Sequence, residues 1–216
     1  MKVYAEYCQQ DNIRRKTLLQ FGNSIELIGS AVLLNPGGAA PSNNDFDKNI
    51  ITEFYKKVHK IDIETENWCL FNNDPTMRCL ERIFNGWYVN ENNKTNENNI
   101  TIELNGIIQL FNCFYYMDQD RANAIRHFIN ERKFVFDESQ YFLNKPVYFG
   151  WGDLDDNDLL NKIARKIFTD YNRKFTPIYN DTFENNNFYH PLYVNRSFRR
   201  NENVKRILEN FHKLFL

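Results

Sequence analysis

The stretch AVLLNPGGAAP, residues Ala31 to Pro41, sets a short apolar run directly before a polar residue and a Pro-Gly-Gly turn. The run Val32 to Leu34 is typical of a strand buried on both faces, as in a parallel sheet. The turn then ends that strand. Ligands of open α/β sheets bind at the carboxyl ends of the strands, so Asn35 is expected at a ligand site. The alternative is an ordinary strand followed by a structural turn.

The order of strand, turn and helix recurs along the chain. Further strands are predicted at 102–114, 146–152 and 174–179, and residues 13–21 fit either a short helix or a strand. Apolar residues at helical spacing predict helices at 51–60, 75–84, 118–133, 155–171 and 204–215. Asp74 and either Asp118 or Asp120 are the expected helix N-caps, and residues 90–99 are expected in an exposed loop. Alternating strands and helices predict a mainly parallel sheet with helices on both faces.

Composition and charge narrow the class of protein. The 216 residues are 42% hydrophobic and 16% aromatic, which suits one globular domain over 1–216. The net charge of −1 argues against non-specific coating of nucleic acid. Two basic clusters, 14–16 and 196–206, are interpreted as solvated faces, and a local patch that contacts nucleic acid is the alternative for each.

The cysteines and the apolar runs bear on cellular context. Cys8, Cys69, Cys79 and Cys113 are scattered without a close pair, which predicts reduced core thiols and neither a disulfide framework nor a zinc site. No apolar run has the roughly 20 residues of a membrane span, and the first residues lack an apolar signal region. We therefore expect a cytoplasmic protein, without membrane contact and monomeric.

Four polar or aromatic residues follow the predicted strands. Asn35, Asn112, Trp151 and His190 each stand at or just after a strand end, so they are expected to converge at one edge of the sheet. His190 also has a plain reading as an exposed ring in a turn before proline. His127 is interpreted as a packed or half-exposed histidine. No metal cage, phosphate-binding glycine loop or Ser-His-Asp order is recognisable, so no metal or cofactor is expected.

Five segments together carry a resemblance: LLNPGGAA, NNDPTMRC, LFNCFYYMDQD, VYFGWG and YHPLY. In order and spacing, over nearly the whole chain, they resemble a bacterial family of unknown function with LNPS, DPT and HPLY motifs. That family in turn resembles the uracil-DNA glycosylase superfamily. The resemblance implies a three-layer α/β/α sandwich around a four-stranded, mainly parallel sheet.

The resemblance also implies residue roles. Asn35 corresponds to the residue that holds the attacking water, Asn112 to the one that reads the flipped base, and His190 to the one that steadies the departing base. Pro36, Gly37 and Trp151 would line the base site, Leu192 and Tyr193 would lie in the loop that wedges into the duplex, and Arg196 would lie near phosphate. Arg199 and Arg200 of the second basic cluster are predicted to contact DNA as well. Leu192 replaces the serine of the superfamily's HPS motif, and no aspartate stands at position 35, which argues against uracil as the substrate.

The residue types suit cleavage of an N-glycosidic bond. Such a reaction needs a donor at the base oxygen and an oriented water, which a histidine and an asparagine supply. The leading hypothesis is a DNA glycosylase that removes a damaged or modified base, such as a modified pyrimidine in phage DNA, in antiviral defence. The alternatives are a non-catalytic nucleic-acid-binding or nucleotide-sensing module, and a hydrolase of free nucleosides or nucleotides.

Overall fold

The computed structural model describes residues 1–92, 101–154, 157–172 and 178–216. Six strands lie within these residues: β1 Lys2–Cys8, β2 Ile13–Phe21, β3 Leu27–Leu33, β4 Trp68–Phe71, β5 Gly106–Asn112 and β6 Val147–Phe149. The same residues contain seven α-helices: α1 Asn49–Phe54, α2 Pro75–Phe84, α3 Trp87–Asn92, α4 Arg121–Glu131, α5 Asp158–Asn172, α6 Pro191–Ser197 and α7 Glu202–His212. None of the helices in this described part is long and apolar enough to cross a membrane.

The six strands form one mixed sheet in the order β4-β1-β2-β5-β3-β6. Strands β5, β3 and β6 are parallel to one another, as predicted for the strand before Asn35. Strand β2 is antiparallel to β5, and β1 is antiparallel to both β2 and β4. The predicted sheet of four mainly parallel strands is therefore wrong, although the α/β class is confirmed.

The missing part of the prediction is the antiparallel half of the sheet. The first 21 residues form a hairpin of β1 and β2, and Asn12 takes a left-handed conformation (φ 53°) in its turn. Strand β2 carries buried residues at nearly every position, so its sequence lacks the alternation that marks a half-exposed strand. The short strand β4 has only four residues and gives little pattern to detect.

The fourth predicted strand has a different outcome. Residues 173–177 lie outside the described part of the chain, and Ile178 and Tyr179 are not in a strand. Instead, the Tyr179 hydroxyl accepts a hydrogen bond from Phe149 N (2.9 Å) and donates one to Phe149 O (3.2 Å). The Tyr179 side chain thus pairs with the backbone N–H and C=O of Phe149, which would otherwise lack hydrogen-bond partners on the outer side of the edge strand β6.

Apolar clusters cover both faces of the sheet. Neighbouring residues of one strand belong to different clusters, as do Leu18 and Leu19 of β2 and Ile107 and Ile108 of β5. Because successive side chains of a strand point to opposite faces, the two clusters lie on opposite sides. Helix α1 contributes to one of them, and α2, α5, α6 and α7 contribute to the other.

Several local predictions are confirmed and others need correction. Asp74 caps α2 by accepting from Met77 N (2.8 Å), and Asp120 caps α4 by accepting from Asn123 N (3.0 Å). The predicted helix at 51–60 divides into α1 and a π-helical turn at 55–59. Residues 90–92 belong to α3, so the predicted loop at 90–99 began too early, and 93–100 lie outside the described residues.

The thiols are free, but Cys8 is exposed and Cys69 is half-buried, so the prediction of core thiols holds only for Cys79 and Cys113. The exposed His127 stacks on Tyr116 with ring centroids 3.7 Å apart.

The N-cap of α7 gives a stability prediction at a residue outside the cavity lining. The Asn201 side chain accepts hydrogen bonds from Asn203 N (3.0 Å) and Val204 N (3.2 Å). Because alanine cannot accept these bonds, we expect Asn201→Ala to lower the free energy of unfolding by about 1 kcal/mol, measured by urea denaturation. Asn203→Ala alters an exposed side chain of the same turn and serves as the control. Equal effects of the two variants would contradict the capping role.

Candidate functional site

A cavity of about 340 Å³ lies where the parallel strands β3, β5 and β6 end. Strand β3 leads into Asn35, β5 ends at Asn112, and β6 is followed by Trp151. Six residues predicted from the sequence line this central cavity: Asn35, Gly37, Asn112, Trp151, His190 and Leu192. The structure therefore brings together residues as far apart in the chain as Asn35 and Leu192.

Asn35 has a side-chain amide of fixed orientation. Its Nδ2 donates to Pro36 O (2.9 Å) and to Asp118 O (3.1 Å). Since both partners are acceptors, the amide nitrogen must face them and Oδ1 must face away. No described residue donates to Oδ1, so Asn35 offers an acceptor to a water or a ligand. Pro36 itself is buried and is not part of the cavity lining, which corrects its prediction as a base contact.

Asn112 is the last residue of β5 and is 1% exposed. Its Oδ1 is buried and has no hydrogen-bond donor among the described residues. A buried acceptor without a partner costs about 1–3 kcal/mol. A ligand that brings a hydrogen-bond donor to Asn112 Oδ1 would therefore be bound favourably, because it removes this cost.

His190 is the N-cap of α6, and its Nδ1 accepts a hydrogen bond from Leu192 N (3.3 Å). Burial lowers the pKa of His190 to about 4; the Asp74 charge acts in the opposite direction, and Arg121 adds to the lowering. The imidazole is therefore neutral at pH 7, with Nδ1 as the acceptor and the proton on Nε2. A neutral histidine in this tautomer can donate a hydrogen bond from Nε2 to a ligand oxygen.

Trp151 forms an aromatic wall of the cavity. The residue is 2% exposed, and its Nε1 is buried without an acceptor among the described residues. Its ring packs on Phe188 and Phe149, with centroids 4.5 and 5.0 Å apart. Gly152 follows with φ 77°, a conformation that side chains disfavour, and it lets the chain turn away from the strand. Trp151 thus brings a rigid ring and a free donor to the cavity.

The cavity also has charged walls that the sequence did not predict. The residues missed are Arg14, Asp74, Asp118, Gln119, Arg121 and Asp153. Arg14 is 1% exposed, so its interpretation as part of a solvated basic cluster is wrong. Burial lowers its pKa to about 10, and the Asp74 charge counteracts that effect. The pairing of β2 with β5 sets Arg14 beside the end of β5, and no local pattern in the sequence indicates that pairing.

The residues predicted to contact DNA are only partly near the cavity. Leu192 lines it, but Leu192 and Tyr193 lie in the first turn of α6 and not in a loop. Tyr193 is 46% exposed and stacks on Tyr189, with centroids 5.2 Å apart. Both tyrosines line an adjoining groove of about 780 Å³ that shares Trp151 and His190 with the cavity.

Three basic residues of α6 and of the turn after it lie outside both the cavity and the groove. Arg196, Arg199 and Arg200 are exposed. Arg199 pairs with Glu91 at 3.3 Å and lies over the Phe198 ring. Contact of these arginines with DNA remains a prediction.

The chain matches none of the protein-family models, curated proteins or solved structures with which it was compared. The motif resemblance to the uracil-DNA glycosylase superfamily therefore remains a prediction. Within the described ranges, no group of three or more His, Cys, Asp or Glu side chains could hold a metal ion.

Proposed function

We propose that the chain is a DNA glycosylase that hydrolyses the N-glycosidic bond of a damaged or modified base and leaves an abasic site. The observation that carries this proposal is the convergence of Asn35, Asn112 and His190 on one cavity. The three side chains offer the groups that the reaction needs, namely an acceptor for water, an acceptor for a base edge, and a neutral donor. The motif resemblance suggests the same roles.

The proposed reaction uses these groups as follows. The bond between the base nitrogen and the sugar breaks, its electron pair moves to the base, and positive charge develops on the sugar. His190 Nε2–H donates to an oxygen of the departing base and stabilises its negative charge. Asn35 Oδ1 orients a water that adds to the sugar carbon and loses its proton to solvent. Because the cationic sugar reacts with a weak nucleophile, orientation by an amide suffices and the enzyme is expected to be slow.

Recognition of the base is assigned to the carboxamide of Asn112 and the ring of Trp151. A base enters such a cavity only after it leaves the duplex stack, which costs a few kcal/mol. Leu192 and Tyr193 at the start of α6, with Arg196, Arg199 and Arg200 at its end, are proposed to offset that cost through contacts with DNA. The proposal also assigns the helices on both faces of the sheet to a glycosylase-like three-layer sandwich. A modified pyrimidine in phage DNA is one candidate substrate.

An abasic-site assay tests the proposal. The protein is incubated with duplex and single-stranded DNA containing uracil, mismatched thymine, or modified cytosines, and alkali then converts base loss to strand breaks. We expect cleavage at one of these bases and its loss in Asn35→Ala and His190→Ala. His127→Ala is the matched control, because His127 is exposed and lies outside the cavity lining.

Three results would contradict base removal by these groups. Full activity in both cavity variants would exclude the assigned roles of Asn35 and His190. Salt-sensitive DNA binding without base loss would favour the non-catalytic binding module. Release of bases from free nucleosides or nucleotides, without DNA binding, would favour the small-molecule hydrolase.

A further inference from the structure

Arg14 reaches the central cavity from the antiparallel half of the sheet. It is the second residue of β2, and its backbone N donates to Tyr115 O (3.1 Å), just beyond the end of β5. Because β2 runs antiparallel to β5, the start of β2 lies beside the end of β5. Arg14 therefore lines the same cavity as Asn112.

The Arg14 side chain is buried without an acceptor. The residue is 1% exposed, and its Nε and Nη1 are buried with no hydrogen-bond partner among the described residues. The guanidinium lies over the Phe71 ring at 5.1 Å from its centroid. A cation–π contact uses the face of the guanidinium, but the N–H groups lie in its plane and need acceptors of their own.

Arg14 Nε and Nη1 have no hydrogen-bond partner among the described residues, although Asp74 and Asp118 line the same cavity. Asp74 raises the pKa of Arg14 by its charge, yet its Oδ1 accepts from Met77 N, and it forms no salt bridge with Arg14 in the described structure. Asp118 Oδ1 accepts from Asp120 N (2.8 Å). A buried cation without a contacting anion or acceptor is costly to the folded protein. Such a group is the complement of a negatively charged ligand.

We propose that Arg14 binds an oxyanion of the ligand that occupies the central cavity, either a carboxylate carried by the base or the phosphate of its nucleotide. The planar guanidinium matches both groups through two parallel N–H···O hydrogen bonds. The inference rests on the proposed function for placing a base beside Asn112, but it does not depend on base removal. It narrows the ligands to nucleotides that present an oxyanion to Arg14.

The test measures binding, so that it stays informative if no base is ever released. In one arm, fluorescence anisotropy compares DNA containing 5-carboxylcytosine with the same DNA containing 5-methylcytosine at that position. In the other, isothermal titration calorimetry compares deoxycytidine monophosphate with deoxycytidine. We expect the anionic member of one pair to bind at least about tenfold more tightly, because charged hydrogen bonds to a buried guanidinium are strong. The arm that shows the preference identifies the source of the oxyanion.

Variants assign the preference to Arg14. Arg14→Gln is expected to abolish it, and Arg14→Lys, which keeps the charge but loses the planar fork, is expected to reduce it. Arg126→Gln alters an exposed arginine of α4 and should leave it intact. The absence of any preference in both arms, or a preference that survives Arg14→Gln, would overturn the inference.

A second readout separates ligand binding from a structural role of Arg14. Without ligand, we expect Arg14→Met to keep or raise the thermal unfolding midpoint, because it removes an unpartnered buried charge and retains much of the side-chain volume. A midpoint lowered by several degrees would show that the arginine stabilises the fold, and would overturn its assignment to a ligand. Base removal without oxyanion preference would reject this inference and leave the glycosylase proposal in place.

Discussion

His190→Ala is expected to lower the rate of base removal by about 10²–10³-fold, the usual cost of removing one preorganised donor from a developing negative charge. The loss should lie mainly in kcat, because the donor stabilises charge that is absent from the ground state. Single-turnover kinetics on the substrate found in the abasic-site assay would measure it. His127→Ala should remain within twofold of the wild type, since His127 stacks on Tyr116 away from the cavity.

The pH dependence of the reaction gives an independent check on His190. Its pKa is lowered from 6.5 to about 4, so the ring stays neutral throughout the range from pH 8 to pH 6. We therefore expect activity to show no inflection near pH 6.5, and to fall only as the pH approaches 4. Protonation there adds a proton to Nδ1, which can then no longer accept from Leu192 N. An inflection near 6.5 that disappears in His190→Gln would contradict a buried neutral ring.

The same shift affects stability, with a defined sign. Because the pKa of His190 is lower in the folded protein, the unfolded chain binds more protons between about pH 4 and 6.5. The free energy of unfolding should therefore decrease as the pH falls through that window, and His190→Gln should make this decrease shallower. Denaturant titrations of both proteins at pH 7 and pH 5 measure the difference. NMR detection of the proton on Nε2 would confirm the tautomer directly.

The sequence predicted the parallel half of the sheet well because its strands give clear local signals. Strands β3 and β5 are buried at almost every position, and the polar residues Asn35 and Asn112 stand shortly after the first and at the end of the second. The N-caps Asp74 and Asp120 were recognisable for the same reason, since capping needs particular side chains at one position. The shared location of Asn35, Asn112 and Trp151 follows from parallel strands that end at one edge. His190 reaches the same cavity as the N-cap of α6 and not from the predicted fourth strand.

The antiparallel half could not be predicted because its pattern depends on tertiary context. The residues of β2 are buried on both faces, so the strand lacks a polar alternation, and the buried Arg14 resembles a solvated charge beside Arg15 and Lys16. Only the pairing of β2 with β5 places Arg14 in the cavity. The predicted helix at 51–60 was also only partly right. Residues 55–59 have an apolar pattern typical of an α-helix, but their hydrogen bonds are π-helical.

The second large expected effect is a loss of stability on substitution of Phe149, the last residue of β6. Its ring lies at the centre of an aromatic cluster that packs against Trp151. Phe149 is 0% exposed. Five further aromatic rings lie within 6.5 Å of its centroid: Phe142, Phe168, Tyr171, Tyr179 and Phe188. A buried phenylalanine in such a cluster contributes both apolar burial and packing that its neighbours cannot restore by relaxing.

Phe149→Ala is therefore expected to lower the free energy of unfolding by about 3–5 kcal/mol, and the thermal midpoint by roughly 6–20 °C. The cavity that it opens lies beside the ring of Trp151, so we also expect ligand affinity to fall in the protein that remains folded. Phe149→Leu retains most of the side-chain volume and should lower the free energy of unfolding by less than about 1.5 kcal/mol. Urea denaturation followed by tryptophan fluorescence measures both variants.

The matched control is Ile61→Ala, which shortens a side chain that is 37% exposed. It should change the free energy of unfolding by no more than about 0.5 kcal/mol, as is usual for surface positions. A cost for Phe149→Ala as small as that of the control would mean that the aromatic cluster collapses around the missing ring. Trp151 would then be held by Phe183, by Phe188 and by the turn at Gly152, and the wall of the cavity would owe its position to the loops around it instead of to the core of the sheet.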